Sequence, residues 1–179
     1  MKGIDRPGQT GRRLLWGFVA YLGLLISIPG HAEEEARLKA AFIYNFTKYV
    51  TWPLSIEQAS GKLRVCVLGK EAFTDELSQL SGREVRTFSL EVVPLQVADS
   101  LDGCHVLFVS GVNPRKVLSA STTMPILTIS DEPDFVSRGG IIGLVTEGRR
   151  IRFDINLGTA REAQLQISSR LLQLARRVE

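Results

Sequence analysis

Histidine and cysteine are scarce in this sequence, which has two of each among its 179 residues. One of the histidines, His31, falls in the N-terminal segment considered below, so the rest of the chain keeps only His105. A structural zinc site needs four ligands, which come mainly from these two residue types. The scarcity therefore argues against a zinc-stabilised protein, and we expect neither a metal nor another cofactor.

The sequence motifs of common catalytic sites are also missing. The chain contains no Gly-x-Ser-x-Gly, no Walker sequence and no Gly-x-Gly-x-x-Gly after a predicted strand. A Ser-His-Asp triad would have to use His105, which lies in the most apolar predicted strand. We therefore predict that the protein is not an enzyme.

The sequence also lacks net charge when the N-terminal segment, residues 1–32, is left out of the count. Residues 1–32 hold four of the 22 Lys and Arg and one of the 19 Asp and Glu, which leaves 18 residues of each sign in 33–179. Proteins that bind nucleic acids need clustered positive charge. The balance therefore predicts no nucleic-acid partner.

The N-terminal segment is typical of a secretory signal peptide. A basic stretch precedes a nearly continuous apolar run over residues 14–28, and Pro29 and Gly30 end that run. As a helix, the run would rise only about 22 Å, which is short of the roughly 30 Å hydrocarbon core of a bilayer. We predict cleavage after Ala32, export to the periplasm, and a mature chain, residues 33–179, that does not span the membrane.

The two cysteines lie in separate apolar segments, "LRVCVLG" and "CHVLFVS". Free cysteines often pack as small hydrophobic residues, and two buried thiols are one interpretation. Export favours the other, because disulfides persist in the periplasm. Two strands lying side by side bring Cα atoms within about 5 to 6 Å, which a disulfide can bridge. We predict a disulfide between Cys66 and Cys104.

The segment "KAAFIYNFTKYVTWP" (residues 39–53) is rich in aromatic residues and belongs to a predicted helix over 33–50. Trp52 and Pro53 end this helix, because a residue that precedes proline is disfavoured in the helical conformation. Apolar residues at three- and four-residue spacing form one face of the helix. They are Leu38, Phe42, Phe46, Tyr49 and Val50. We expect this face to pack in the core.

The remaining pattern predicts an α/β fold. Short helices alternate with apolar strands, which favours a mostly parallel sheet. Near the C-terminus, strict alternation around the turn Glu147-Gly148 predicts an antiparallel hairpin over 141–157, and "QISSRLLQLARRV" predicts a closing helix. The predicted strands before the hairpin are 63–69, 85–95, 104–110 and 125–130, and the predicted helices between them are 71–80 and 113–119. We expect a single-domain sandwich with helices on both faces.

One candidate small-molecule site follows from this arrangement. Ligands of open α/β sheets bind at the carboxyl ends of the parallel strands. Gly69, Ser110, Asp131 and Glu132 follow three of the predicted strands and would line such a crevice. The acidic residues equally suit a solvated loop, so a periplasmic sensor of a nucleotide or an amino acid is an alternative function.

Six segments taken together resemble the YfiR family of periplasmic regulators. The resemblance covers nearly all of residues 33–178, and the segments occur in the family's order. They are "KAAFIYNFTKYVTWP", "LRVCVLG", "GCHVLFVS", "GGIIGLV", "GRRIRFDINL" and "ISSRLLQLA".

The resemblance implies a compact α/β protein with a six-stranded sheet that is often a homodimer. It further implies a repressor that binds the periplasmic sensor region of an inner-membrane diguanylate cyclase and so lowers cyclic-di-GMP and biofilm formation. An outer-membrane lipoprotein can sequester such a repressor. Cys66 and Cys104 match the family's structural pair, whereas the second pair of some relatives is absent from residues 142–152 of this sequence.

For such a binding protein, we expect the contact surface on the last hairpin and helix, with two aromatic residues nearby. Arg152 and Asn156 alternate with apolar residues, although a solvated edge strand would show the same pattern. Tyr44 and Trp52 lie off the predicted apolar face of the first helix, either as exposed anchors or packed under a loop. The six predicted contact residues are Tyr44, Trp52, Arg152, Asn156, Arg170 and Leu171.

Overall fold

The computed structural model describes residues 30–59, 61–69, 71–148 and 150–179, together with Gly3. Residues 31–179 form one compact unit. The predicted signal peptide lies outside the described residues except at Gly3 and residues 30–32, so its cleavage stays a prediction. Within the described part of the chain, no helix has both the length and the apolar character needed to cross a bilayer.

Helices and strands alternate along the chain. The helices are α1 (His31–Tyr49), α2 (Leu54–Ala59), α3 (Glu71–Ser78), α4 (Pro114–Ser121), α5 (Leu157–Glu162) and α6 (Ser169–Leu174), with one 3₁₀ turn, η1 (Val136–Arg138). The strands are β1 (Val50–Thr51), β2 (Gly61–Leu68), β3 (Glu84–Val85), β4 (Phe88–Leu95), β5 (Val106–Val109), β6 (Leu127–Ser130), β7 (Ile142–Glu147), β8 (Arg150–Ile155), β9 (Gln166–Ile167) and β10 (Arg177–Val178).

Eight of the strands form one sheet in the order β10-β8-β7-β6-β5-β2-β4-β3, and β1 pairs with β9 in a separate small sheet. The β7–β8 and β3–β4 pairs are antiparallel, and the other five pairs of the large sheet are parallel. The predicted mostly parallel sheet with a C-terminal hairpin is confirmed. The sheet has eight strands instead of six, because β3 and β10 are two residues long and leave no periodic signal.

Both faces of the central strands are buried, as continuous apolar strands require when helices cover both sides. Alternate residues of β5 belong to different clusters: Phe108 packs into the larger core with α1 and α3, and Leu107 packs into a smaller core with α4. The predicted disulfide is confirmed. It joins Cys66 to Cys104 in the smaller core, with the Cα atoms 5.8 Å apart.

The buried face of α1 differs from the predicted one by a rotation of the helix. Leu38 is 40% exposed, and Phe42 and Tyr49 are only partly buried. Phe46 is buried as predicted, and so is Val50, which lies in β1. The other buried residues of α1 are smaller: Ala40, Ile43 and Thr47. Thr47 is tolerated there because its hydroxyl donates to the Tyr44 carbonyl at 2.7 Å. Phe42 and Tyr49 therefore lie at the edge of the buried face and not at its centre.

Two predicted elements are interrupted in the structure. The predicted strand 85–95 contains the turn of the β3–β4 hairpin, where Arg86 has a positive φ of 53°. The closing helix is also shorter than predicted and covers only Ser169–Leu174. Its N-cap is Ser168, whose hydroxyl accepts from the Leu171 N–H. The helix ends because Ala175 is extended and the Arg176 N–H donates to the Phe153 carbonyl on β8 at 2.8 Å.

Candidate functional site

The structure brings together the four residues of the predicted crevice at the carboxyl ends of β2, β5 and β6. A Cβ on Gly69 would collide with the Ser110 carbonyl, so the two loops meet closely. Asp131 accepts from the Lys39 ammonium and Glu132 accepts from the Gly111 N–H, both at 2.7 Å. Each of the two carboxylates therefore already has a hydrogen-bond partner within the protein.

Lys39 connects α1 to the sheet at this end. Its Nζ lies 2.7 Å from a carboxylate oxygen of Glu35 and 2.7 Å from one of Asp131, and Glu35 also accepts from the Thr146 hydroxyl. Burial disfavours the ammonium, but the hydrogen bonds to Asp131 and Glu35 outweigh it and raise the pKa of Lys39. The hydrogen bond from Lys39 lowers the pKa of Glu35. These contacts hold the first turns of α1 against β6 and β7.

A second charged cluster fixes the C-terminal tail to the hairpin. The Asp154 side chain on β8 is buried, and Arg176 donates to its two carboxylate oxygens at 2.8 and 2.6 Å. Arg176 also donates to Glu147 at 2.8 Å, and Arg177 lies 3.3 Å from Asp154. The hydrogen bond to Asp154 raises the pKa of Arg176, so its positive charge is secure at any physiological pH.

The two charged clusters face a common cleft of about 430 Å³. Lys39 and Asp131 lie on one side, Asp154 and Arg176 lie on another, and Phe135 and Val136 are apolar lining residues. The sequence did not indicate this cleft, because Asp154 alternates with apolar residues and such a position predicts a solvent-facing side chain. The one available signal was the pair Arg176-Arg177, which was assigned to a helix end.

The six predicted contact residues do not form one surface. Tyr44 donates its hydroxyl to the Glu84 carbonyl on β3, whereas Arg152 lies on β8. Strand order separates β3 from β8 by six strand spacings, about 29 Å at the usual 4.8 Å each. Arg152 is exposed on the sheet face opposite to Phe153, which packs against α1. Arg170 is exposed on α6, on the α1 side of the sheet.

Three of the predicted contact residues serve the fold of this chain. Trp52 is 2% exposed and donates its indole N–H to the His105 carbonyl at 3.2 Å, so of the two alternatives for this residue the structure shows the packed one. Leu171 is also 2% exposed, because it is the residue of α6 that enters the larger core. Asn156 caps α5 by accepting from the Thr159 N–H at 2.8 Å.

An exposed apolar surface lies beside Leu171 on the same helix. Leu174 is 62% exposed at the end of α6, where the Arg176 N–H reaches the Phe153 carbonyl. The Phe153 ring lies 6.0 Å from the Phe42 ring of α1, which places the end of α6 beside that turn of α1. Leu38 precedes Phe42 by one helical turn on the same face and is 40% exposed.

We name this surface the α1–α6 strip and define it as Leu38, Phe42 and Leu174. Phe42 is partly buried against the core, and the two leucines are exposed. Arg170 lies one turn before Leu174 on α6 and adds an exposed positive charge beside the strip. Large apolar side chains exposed together on a small protein are typical of protein-binding surfaces.

His105 has a structural environment. Its Nδ1 accepts from the Arg64 backbone N–H at 2.9 Å, so the ring is held neutral with its proton on Nε2. Burial and the nearby Arg64 charge lower the pKa of His105. Among the described residues, no group of three or more His, Cys, Asp or Glu is arranged to hold a metal ion.

We expect His105 to make the free energy of unfolding fall as the pH is lowered through about 6.5, by at most about 1.4 kcal/mol per pH unit. The folded-state pKa lies below the unfolded value of 6.5, so the unfolded chain binds the proton more readily. The contribution of neutral His105 is complete above pH 6.5 and is lost as the pH falls through 6.5 towards the lower folded-state pKa.

Urea unfolding of the wild type and of His105→Asn at stepped pH measures this effect. Asparagine keeps an acceptor for the Arg64 N–H and does not titrate, so the variant should show a shallower pH dependence. Equal slopes for the two proteins would mean that His105 does not contribute.

Comparisons with known proteins agree with the fold. A family described as YfiR/HmsC-like matches residues 36–176. Among solved structures, the crystal structure of a conserved domain protein from Vibrio cholerae O1 biovar El Tor strain N16961 is similar, with a TM-score of 0.51 and 13% sequence identity. The match covers 80% of this chain and 60% of that one, so the chain spans less than two thirds of that protein. At such low identity, the likeness shows the fold alone.

Proposed function

The chain belongs to the YfiR/HmsC-like family, and we propose that it represses an inner-membrane diguanylate cyclase by binding the cyclase's periplasmic sensor region. Membership of this family supports a regulatory role in the periplasm in general, and the Cys66–Cys104 disulfide suits an oxidising compartment. Lower cyclic-di-GMP and reduced biofilm formation would follow from repression.

The observation that carries the proposal is the α1–α6 strip. A soluble regulator needs a surface that is stable when free and gains apolar burial when bound. Leu38 and Leu174 meet this need, because 40% and 62% of their surface, respectively, is still exposed and can be buried against a partner. Exposed Arg170 beside them adds a charge that orients a partner.

Binding represses the cyclase only if the two states of the cyclase are bound unequally. The strip must fit the sensor region better when the cyclase is inactive, since a ligand with equal affinity for both states shifts nothing. An outer-membrane lipoprotein that covers the same strip would release the cyclase by competition. A homodimer would present two strips and could engage a dimeric cyclase through both of them.

We expect Leu174→Glu to abolish repression while leaving the protein folded. Leu174 is exposed, so a carboxylate there stays hydrated in the free protein but would be buried in the complex, which costs at least about tenfold in affinity. Cyclic-di-GMP measured by mass spectrometry in a deletion strain carrying each variant should match the uncomplemented strain for Leu174→Glu.

Two matched leucines serve as controls. Leu54→Glu introduces the same charge at a 72% exposed leucine of α2 and should leave repression intact. Leu171→Glu puts the charge into the core and should lower protein abundance itself. Full repression by folded Leu174→Glu protein would move the contact surface away from the strip.

The alternative function, a small-molecule sensor built from Gly69, Ser110, Asp131 and Glu132, has weaker support. The carboxylates of this set already accept hydrogen bonds from Lys39 and from the Gly111 N–H. A ligand there would have to displace these contacts, which subtracts from its binding free energy.

A further inference from the structure

A second cleft, of about 470 Å³, lies at the opposite end of the strands from the predicted crevice. Ile126 and Ile141 line it, and they directly precede β6 and β7. Its walls come from α4, from the end of η1 and from α5. A volume of this size is typical of sites for small organic molecules.

One side of α4 forms the first wall. Arg115, Leu118, Ser119 and Thr122 line the cleft from neighbouring positions, since Leu118 and Ser119 both lie three or four residues from Arg115 and from Thr122. This side of the helix therefore presents a guanidinium, an apolar side chain and two hydroxyls. Val117, which is also buried, packs into the smaller core and holds this side of α4 in place.

Arginine charge in this cleft is not neutralised by the protein. Among the described residues, Arg115 makes no side-chain hydrogen bond or ion pair, and Arg138 donates only to the Pro133 carbonyl. Some arginines elsewhere in the described part of the chain, such as Arg64, Arg86 and Arg176, have carboxylate partners, whereas exposed Arg152, Arg161 and Arg170 do not. What distinguishes Arg115 and Arg138 from these exposed arginines is that both line one cleft. Two guanidinium groups without acidic partners at one cleft favour an oxyanion as the ligand.

The remaining lining residues restrict the ligand further. Leu118, Ile126, Ile141 and Ala163 provide an apolar floor, and Thr128 contributes a hydroxyl that already accepts from the Ile141 N–H. Glu162 also lines the cleft and has no ion-pair partner among the described residues. A ligand that carries only negative charge would be repelled there, whereas one with a donor group at its far end would not.

We propose that this cleft binds a small organic oxyanion, a carboxylate or a phosphate monoester, whose apolar body lies on Ile126 and Ile141. Arg115 and Arg138 bind the anionic group, and the rim near Glu162 accepts a hydroxyl or amino group of the ligand. The site is separate from the α1–α6 strip, since α4 covers the other face of the sheet from α1. Ligand binding and repression can therefore be tested independently.

The experiment titrates the folded protein with phenyl phosphate and, separately, with benzoate, and follows backbone amide NMR signals. We expect saturable shifts at residues 118–122 and 137–141 with a dissociation constant in the millimolar range or below. The two probes distinguish a phosphate from a carboxylate preference. Absence of saturable shifts at these residues with both probes would overturn the proposal.

Three substitutions sharpen the result. Arg115→Gln should weaken binding by about tenfold, because it removes a charged hydrogen bond to the anion. Glu162→Gln should strengthen binding severalfold by removing a like charge. Arg161→Gln is the control, since Arg161 is exposed on α5 but does not line the cleft. Equal weakening by Arg161→Gln and Arg115→Gln would indicate non-specific attraction and reject the site.

Discussion

Removal of the Cys66–Cys104 disulfide is expected to lower the free energy of unfolding by about 4 kcal/mol. The two cysteines are 38 residues apart, and closing a loop of that length restricts the unfolded chain by roughly this amount. A domain of this size has a total stability of about 5 to 15 kcal/mol. The disulfide therefore supplies a large share of the stability of this protein.

Guanidinium unfolding of the oxidised wild type and of the double variant Cys66→Ala/Cys104→Ala measures the effect. Wild type kept reduced by a thiol is the control, and its midpoint should fall by a similar amount, since it lacks the cross-link but keeps both sulfurs in the smaller core. The slope of unfolding against denaturant should rise, because the uncrosslinked chain exposes more surface. A loss below about 1 kcal/mol would mean that the unfolded chain remains compact in this loop without the disulfide.

The disulfide and the central strands could be predicted from the sequence because their signals are local and strong. Residues 65–68 and 106–109 are apolar without interruption, and such runs become strands buried on both faces. Asn113-Pro114 similarly predicted the start of α4, where the Asn113 side chain accepts from the Arg115 N–H. In these cases, local preference and tertiary packing favour the same structure.

The prediction was wrong where a tertiary contact outweighed the local pattern. "QISSRLLQLARRV" has good helix formers, but α6 ends at Leu174, and the tail continues as β10 beside β8. The helix ends there because two contacts favour an extended tail. Arg176 donates to Asp154, and the Glu179 N–H donates to the Ile155 carbonyl. The sequence alone does not say which carboxylate an arginine will meet.

The candidate sites also have some features that the sequence predicts and others that depend on tertiary contacts. The rule for open sheets correctly brought Gly69, Ser110 and Asp131 together, because it depends on topology. The rule could not show that Lys39, which is far from Asp131 in sequence, would donate a hydrogen bond to it. The sequence also could not predict which leucine of α6 is exposed. Leu171 and Leu174 are chemically identical, and only the helix phase decides which one is buried.

The ion pair between the buried Asp154 carboxylate and the exposed Arg176 should be the second large determinant of stability. Arg176→Ala is expected to lower the free energy of unfolding by about 3 kcal/mol, because it leaves a buried carboxylate with only Arg177 nearby. Asp154→Ala should cost a similar amount, since it releases the tail from the hairpin. The double variant should cost less than the sum, with a coupling of about 2 kcal/mol between the two residues.

Denaturant unfolding of the four proteins in this double-mutant cycle gives the coupling, and amide hydrogen exchange locates it. The Arg176 and Glu179 amides, which bind β8 carbonyls, should exchange faster in Arg176→Ala than the amides of β2 and β5. Arg37→Ala is the matched control, because its ion pair with Glu33 on α1 is exposed and should be worth less than about 0.5 kcal/mol.

The same cycle connects stability to the proposed function. α6 lies between β9 and the tail, so releasing the tail frees the end of α6 that carries Leu174. Arg176→Ala should therefore reduce repression even at temperatures where the protein remains folded, whereas Arg37→Ala should not. Additive costs in the cycle together with unchanged repression would show that the Asp154–Arg176 pair neither holds the tail nor positions the α1–α6 strip.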